Sequence, residues 1–206
     1  MYENLMIDLE TLDVAPTNKA VILSVGIVRF NLLDEDHWES FDESGRCGYW
    51  VLPIEPQIDA GRTIGASPLL WWVNQIRTGH PGAAEIFSPL PQMWDLESGK
   101  FVEDVEECLI ARLHAISTFM NGPYYLWGKP AHFDCPKIES LLTQFGVGMP
   151  IPWYKYRCMT GAKVMPQVYG VKRPKPKTVG SMDHHALWDA KEQVLELQGW
   201  FRNMKS

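Results

Sequence analysis

The chain has 206 residues, 46% of them hydrophobic, and a formal net charge of −6. This length and apolar content are enough for one buried core, so we expect a single domain over residues 1–206. The negative charge argues against a protein that coats nucleic acid through bulk positive charge. It leaves open an enzyme whose carboxylates hold divalent cations.

Targeting and redox signals are weak. Positions 1–25 lack a basic start followed by an unbroken apolar run, and no stretch approaches the roughly 20 apolar residues that span a bilayer. We therefore expect a cytoplasmic protein with no membrane segment. The four cysteines are scattered without a C-x-x-C pair, which favours reduced thiols over a zinc knuckle or a disulfide framework.

The first part of the chain predicts mainly strands. Apolar and β-branched residues indicate one strand at about 3–10 and another at 21–30, which together form a β-hairpin. A third strand is predicted in "CGYWVLPI". In "SPLLWWVNQI", Ser67 is a candidate N-cap and Pro68 the first residue of a helix that ends near Arg77.

Helices dominate the rest. Apolar residues at helical spacing predict a helix over Glu103–Met120, then "GPYYLWGK" gives a turn and a short buried strand. "FDCPKIESLLTQFG" and residues 184–203 predict two more helices, and "VKRPKPK" between them is a basic loop. The segment 87–104 has the character of an insertion. This order of elements predicts a mixed α/β sheet covered by helices.

Two carboxylates lie in the first predicted strand. Residues two apart in a strand point to the same face, so Asp8 and Glu10 project together while Ile7 and Leu9 face the other side. Like charges held side by side repel and lose hydration when enclosed, which favours a cation between them. The alternative is an ordinary polar face on an exposed edge strand.

Asp134 opens the middle helix. It falls in line with Ile138, Leu141 and Phe145 on the stripe that should face the core. Its charge would then need a partner. The alternative is that Asp134 is only an N-cap, because Pro136 marks the first turn.

The last helix begins near "SMDHHALWDA". His185 and Asp189 are four positions apart and share a face of a continuous helix, whereas His184 diverges from Asp189. Helical geometry alone favours His185 as the neighbour of Asp189. His184 reaches the same place if it lies on the loop before the helix. Asp183 is a candidate N-cap.

The three motifs together resemble the DEDDh 3′–5′ exonucleases. "MIDLETL" is followed by "AVILSVGIVRF", "WGKPAHFD" is similar to the family's Trp-Gly-x-x-x-x-Phe-Asp, and "HHALWDA" fits His-x-Ala-x-x-Asp-Ala. They occur in the family's order across nearly the whole chain. In detail the chain is similar to the subgroup that contains phage-type exonucleases and the exonuclease VIII nuclease domain.

This resemblance implies an RNase H-like fold, a central mixed sheet flanked by helices. It implies two bound Mg²⁺ or Mn²⁺ ions, for which carboxylates are suitable ligands, and stepwise release of nucleoside 5′-monophosphates from the 3′ ends of single-stranded DNA or RNA. His184 has the family's spacing and becomes the general base, with His185 as an exposed neighbour. The implied metal ligands are Asp8, Glu10, Asp134 and Asp189.

Predicted substrate contacts have simpler alternatives. The resemblance places Thr11 and Leu12 in the pocket for the terminal nucleotide, but Leu12 is equally suited to the core. Phe133 is a candidate for stacking on a base, although an aromatic residue there is more often buried. Lys172 and Arg173 are candidates for phosphate contacts or simply part of a solvated loop. Of the adjacent pair Trp71 and Trp72, at most one faces fully inward.

Two other functions compete with the exonuclease. One is a nucleic-acid-binding module that keeps the RNase H-like fold without catalysis, which the complete set of four acids and His184 disfavours. The other is a mononuclear metal protein that uses His184, His185 and Asp189, although zinc favours more nitrogen or sulfur ligands. The sequence does not show whether the chain forms a homo-oligomer, nor whether it prefers DNA or RNA.

Overall fold

The computed structural model describes residues 2–15, 17–87, 93–95, 100–102, 105–174 and 184–204, without the side chains of 93–95 and 100–107. The strands are β1 (Asn4–Thr11), β2 (Ile22–Phe30), β3 (Cys47–Val51), β4 (Met93–Asp95), β5 (Lys100–Val102), β6 (Tyr125–Gly128) and β7 (Tyr156–Cys158). The helices are α1 (Glu55–Asp59), α2 (Ala66–Arg77), α3 (Pro81–Ile86), α4 (Val105–Met120), α5 (Ala131–Gln144), α6 (Met159–Ala162), α7 (Val164–Val168) and α8 (Ala186–Asn203). Short 3-10 helices span Trp38–Asp42 and Trp153–Lys155.

A mixed sheet forms the centre of the fold, as predicted. In the described part of the chain its five strands have the order β3-β2-β1-β6-β7. The strands β1, β2 and β3 pair antiparallel, whereas β6 runs parallel to β1 and β7 parallel to β6. The central strand β1 therefore has a neighbouring strand on both edges. The helices packed on the two faces of the sheet enclose its side chains.

Alternation along β1 assigns its two faces. Leu5, Ile7 and Leu9 point toward the core that α4 and α5 cover, together with apolar residues of β2. Met6 points to the opposite face and joins the cluster covered by α8. Because Asp8 and Glu10 have the same parity as Met6, they lie on the α8 side of the sheet.

The predicted helical stripes are buried. Leu109, Leu113, Ile116 and Met120 of α4 are fully buried in the first cluster. Ala190, Val194 and Leu197 of α8 are fully buried in the second. A third cluster lies under α2 and α3 and contains Leu12, Val21, Leu23, Trp72, Ala83 and Ile86.

Some boundaries differ from prediction. The helix α2 begins at Ala66, with Gly65 as its N-cap, so the prediction that Ser67 caps this helix is wrong. The reason is a backbone hydrogen bond from the Gly65 N–H to the Leu12 carbonyl, 2.8 Å long, which fixes the start of the helix two residues earlier. The segment 87–104 contains the small β4-β5 hairpin. Within the described residues, no helix is long and apolar enough to cross a bilayer.

Candidate active site

The strand β1 contributes two carboxylates to the candidate site, Asp8 and Glu10. Both side chains are partly buried on the face that α8 covers. The Gln193 side chain, on α8, donates a hydrogen bond of 2.6 Å from Nε2 to Oδ1 of Asp8. This bond fixes the Asp8 carboxylate relative to the helix.

A glycine lets α8 approach this face of the sheet. Gly26 of β2 is the register partner of Asp8. A β-carbon at Gly26 would lie 2.3 Å from the backbone carbonyl carbon of Ala186, the first residue of α8. A side chain there is therefore incompatible with the observed packing, and the absence of one brings the start of α8 against the carboxylates.

The third carboxylate comes from α5. Pro130 is the N-cap of this helix, so Asp134 lies inside its first turns and is not the N-cap. Asp134 is 3% exposed. Its Oδ2 accepts a hydrogen bond of 3.3 Å from the Lys129 backbone N–H. Ile138 and Leu141 on the same stripe are fully buried, as predicted.

Glu10, Asp189 and His184 converge. One ligand atom from each of the three side chains lies within 4.8 Å of the others. His184 precedes α8 and has a φ of 61°, a left-handed conformation that costs a residue with a side chain about 1–2 kcal/mol. Because it lies outside the helix, His184 reaches Asp189 despite a spacing that would separate them on a continuous helix.

His185 has a structural role at the start of α8. It is the N-cap of the helix, where its Nδ1 accepts a 3.4 Å hydrogen bond from the Trp188 backbone N–H. Its Nε2 lies 3.2 Å from Oε2 of Glu85, and its ring stacks on Tyr49 at 4.2 Å. Since Nδ1 accepts, the proton of the neutral ring is on Nε2, facing Glu85.

The expectation that His185 is exposed is therefore wrong: it is 5% exposed, whereas His184 is an exposed residue. Helical spacing does not select between the two histidines, because both His184 and His185 precede α8. Both ring nitrogens of His185 are engaged away from Asp189. This arrangement disfavours a mononuclear metal site that uses both histidines.

The clustered carboxylates perturb one another. Burial, followed by repulsion from Asp134, Glu10 and Asp189, raises the pKa of Asp8 well above its usual range. Burial and the charges of Asp189 and Asp134 raise the pKa of Glu10 to about 8. Burial also raises the pKa of Asp134, to about 7, against hydrogen bonds that lower it. Such mutual repulsion fits a set of oxygen ligands that divalent cations would neutralise.

Aromatic residues surround His184. Trp71 of α2 meets its ring edge to face, with the centroids 4.5 Å apart, and the His80 ring centroid lies 6.0 Å away. The neighbouring Trp72 is buried and donates from Nε1 to the Thr11 carbonyl at 3.1 Å. One tryptophan thus anchors α2 on β1, while the other, 37% exposed, faces the site.

Thr11 and Leu12 lie next to the site but make internal contacts. Thr11 is 7% exposed, and its hydroxyl donates to the Asp13 carbonyl at 3.1 Å. Leu12 is 2% exposed and packs in the third hydrophobic cluster. These are contacts of core residues, and a role for either in the nucleotide pocket stays a prediction.

The other predicted substrate-binding residues differ in burial and in the contacts that they make. Phe133 is partly buried, with the Lys137 ammonium 3.7 Å from its ring centroid. Lys172 is exposed, and Arg173 forms an ion pair with Glu196 at 2.9 Å. The remainder of the predicted basic loop, with Lys175 and Lys177, lies outside the described residues, as does Asp183.

Sequence reasoning missed two residues that shape the site. Gly26 carries a usable signal, since a glycine inside a strand pattern often marks a close backbone approach. Gln193 lies four positions after Asp189, so the two share a helical face. Nothing in the local sequence indicates that Gln193 reaches Asp8, 185 positions earlier.

Comparison with solved structures identifies the class of fold. The chain superposes on the E. coli ExoI-ssDNA complex, in its zinc-ion-bound form, with a TM-score of 0.50 and 15% sequence identity. The match covers 93% of this chain and 39% of the ExoI chain, so the chain spans about two fifths of the length of that protein. The fold is therefore RNase H-like, as expected from the motifs.

The sequence itself gives the family. Residues 3–199 match the family model of the 3′–5′ exoribonuclease Rv2179c-like domain. The chain belongs to this family. Comparison with curated proteins gives no significant match. The match to this family supports a 3′–5′ exonuclease, but it does not extend to the predicted exonuclease VIII and phage-type subgroup.

Proposed function

We propose that this chain is a metal-dependent 3′–5′ exonuclease of the DEDDh type that hydrolyses the terminal phosphodiester bond of single-stranded RNA or DNA. The products are nucleoside 5′-monophosphates. The observation that carries the proposal is the convergence of Glu10, Asp189 and His184 within 4.8 Å, beside Asp8 and Asp134. A binding module without catalysis would have no need of this set.

The metal ligands in this proposal are Asp8, Glu10, Asp134 and Asp189. Two Mg²⁺ or Mn²⁺ ions, when bound, would supply Lewis-acid stabilisation of the attacking and leaving oxygens. The protein orients the ligands: the Gln193 amide holds Asp8, and the Lys129 backbone N–H holds Asp134. Neutralisation of the carboxylates by cations also relieves the repulsion that raises the pKa values of Asp8 and Glu10.

His184 is the proposed general base. It is exposed to solvent at the mouth of the carboxylate cluster. An imidazole nitrogen there accepts a proton from the attacking water, because the ordinary pKa of histidine, about 6.5, lies close to neutral pH. The carboxylates of Glu10 and Asp189 stabilise the imidazolium that results.

The family description names a ribonuclease, and the structural neighbour was solved with single-stranded DNA. RNA and DNA are therefore the two substrates to compare. Predicted contacts for the terminal nucleotide are Thr11, Leu12 and Phe133. Of the basic loop, Lys172 and Arg173 are the predicted phosphate contacts.

The decisive experiment is a time course on 5′-labelled single strands of RNA and DNA of one sequence, with Mg²⁺, Mn²⁺ or EDTA. We expect a ladder that shortens from the 3′ end only when metal is present. Release of a labelled mononucleotide at the first time point would instead indicate attack at the 5′ end. Intact strands under every condition, with protein shown to be folded, would favour the binding module.

Two variants complete this test. Asp8→Ala should abolish cleavage while the protein stays folded, because it removes a metal ligand and relieves repulsion among the remaining carboxylates. The matched control is Asp59→Ala, an exposed acid at the end of α1. Cleavage by Asp8→Ala at the rate of the control would remove Asp8 from the mechanism.

A further inference from the structure

One buried carboxylate gathers three cations close to the candidate active site. Glu196 of α8 accepts from Lys163 Nζ at 3.0 Å and from Arg173 Nε at 2.9 Å, both on Oε1. Lys129 Nζ lies 3.5 Å from Oε2 of the same side chain. We call these four residues the Glu196 cluster.

The Glu196 cluster carries excess positive charge. One carboxylate balances one of three cations, so the cluster is positive overall in a chain whose net charge is −6. The Glu196 side chain is 6% exposed, whereas those of Lys129 and Arg173 are 35% and 69% exposed. The negative charge is therefore buried and the excess positive charge faces solvent. A purely structural ion pair would need only one cation.

The cluster lies beside the carboxylates along α8. Asp189, Gln193 and Glu196 are separated by four and then three positions, which places them on one face of the helix. Glu196 is about 10 Å from Asp189 along the helix axis. Lys129 links the two sites, because its backbone N–H donates to Asp134 while its ammonium faces Glu196.

The segment that carries Arg173 is held against α8 by the fold. Pro174 packs so closely on α8 that a β-carbon at Gly199 would lie 2.5 Å from the Pro174 Cβ. The Asn203 side chain donates to the Lys172 carbonyl at 3.4 Å. These contacts fix residues 172–174 against α8 and direct Arg173 toward Glu196.

We propose that the Glu196 cluster is a phosphate-binding subsite for the part of the nucleic-acid strand that extends away from the cleaved terminal nucleotide. This inference rests on the proposed function. Glu196 holds Lys129, Lys163 and Arg173 together against their mutual repulsion, and backbone phosphates balance the two positive charges that remain. The subsite makes the enzyme select long strands over dinucleotides, because a dinucleotide ends before it reaches the cluster.

Binding in EDTA tests the subsite without catalysis. The probe is a fluorescently labelled single-stranded oligonucleotide, and its anisotropy gives Kd over a series of salt concentrations. We expect Arg173→Gln and Lys163→Gln each to weaken binding about three- to tenfold and to reduce the salt slope by about one. Arg202→Gln, near the far end of α8 and paired with Glu35, is the matched control and should bind normally.

Glu196→Gln separates the subsite from a structural ion network. If the cluster binds phosphate, Glu196→Gln tightens binding of the oligonucleotide, because the substituted amide oxygen still accepts from Lys163 and Arg173 while the negative charge is removed. If the cluster only stabilises the fold, Glu196→Gln lowers the melting temperature and leaves Kd unchanged or weaker. If Glu196→Gln does not fold, Arg173→Gln still tests the proposal, because Arg173 is exposed. A Kd and a salt slope equal to those of the unsubstituted protein would overturn it.

Cleavage of two substrates then distinguishes this inference from the proposed function. For Arg173→Gln, the ratio of kcat/KM on a long strand to kcat/KM on a dinucleotide should fall about tenfold, which is about 1.4 kcal/mol. An unchanged ratio would overturn the subsite. If the unsubstituted protein cleaves neither substrate yet shows the expected changes in Kd, the proposed function fails and the phosphate subsite stands.

Discussion

Gly26 in β2 and Ala186 at the start of α8 approach so closely that a β-carbon on Gly26 would lie 2.3 Å from the Ala186 carbonyl carbon. The contact is backbone to backbone, so no side-chain rotation can relieve a larger residue. It sets the depth at which α8 rests on the sheet. The positions of His184 and Asp189 relative to Asp8 and Glu10 follow from it.

Gly26→Ala should therefore displace the start of α8. We expect the free energy of unfolding to fall by about 1–3 kcal/mol or more, as for overpacked cores. Nuclease activity should fall by more than the loss of folded protein accounts for. Urea unfolding and cleavage rates measured on the folded protein check this. Gly148→Ala is the control, because nothing lies within 4 Å of its β-carbon position. Equal behaviour of the two variants would refute the packing argument.

The two adjacent histidines should have separable effects. His184→Ala should lower the cleavage rate about 100-fold, the usual contribution of a general base, with little change in stability. His185→Ala should lower stability by about 0.5–2 kcal/mol through loss of the N-cap, and more through loss of the Tyr49 contact. Rates and melting curves on both variants give the comparison. The reverse ranking of rates would assign the base role to His185.

Trp71 should position His184 through its edge-to-face contact. Trp71→Ala should reduce kcat about tenfold with a smaller effect on KM, because aromatic pairs are worth about 0.5–1.5 kcal/mol. Trp71→Phe keeps an aromatic ring and should recover most of the rate. Leu70→Ala, at the 68% exposed neighbouring position, is the control. A fall in kcat that Phe does not rescue would argue against this role.

The metal-free protein should lose stability as the pH rises. Burial and neighbouring charges raise the pKa of Glu10 from 4.5 to about 8, so between these values the folded state holds a proton that the unfolded chain has released. The unfolding free energy therefore decreases with pH across this window. Burial raises the pKa values of Asp8 and Asp134 as well, with repulsion from neighbouring carboxylates adding to the shift of Asp8, so their contributions have the same sign.

Urea unfolding in EDTA at several pH values between about 4.5 and 8 measures this slope. Glu10→Gln should flatten the slope, whereas Glu3→Gln, an exposed position at the start of the chain, should leave it unchanged. Added Mg²⁺ or Mn²⁺ should stabilise the protein increasingly as pH rises, because cations compete with protons for the carboxylates. A slope that Glu10→Gln does not alter would contradict the clustering of charges.

Periodicity in the sequence predicted the elements that form the core. Runs of apolar and β-branched residues predicted β1 and β2, and the helical stripes of α4 and α8 are buried as expected. These patterns are local and extend over many residues, so each element can be predicted from its own segment of the sequence. The strand β7 and the helices α6 and α7 span three to five residues, too few for a period to show.

The site was predictable only in part. Spacing within β1 and near α8 indicated which carboxylates share a face, and the motif resemblance indicated their order. The contacts of His185 with Glu85 and Tyr49, and the ion pairs of Glu196, depend on residues distant in sequence. No pattern within one segment carries information about such contacts, because the partners meet only after the sheet and helices have packed.

The hydrogen bond from Gln193 to Asp8 joins residues 185 positions apart. A ribosome delivers β1 first and α8 last, and domains fold as units once their elements have emerged. A nascent chain therefore carries Asp8 and Glu10 before Asp189 and His184 have been added to complete the site. Truncated products of stalled translation lack the same residues, so the proposed nuclease site is complete only after α8 has been synthesised.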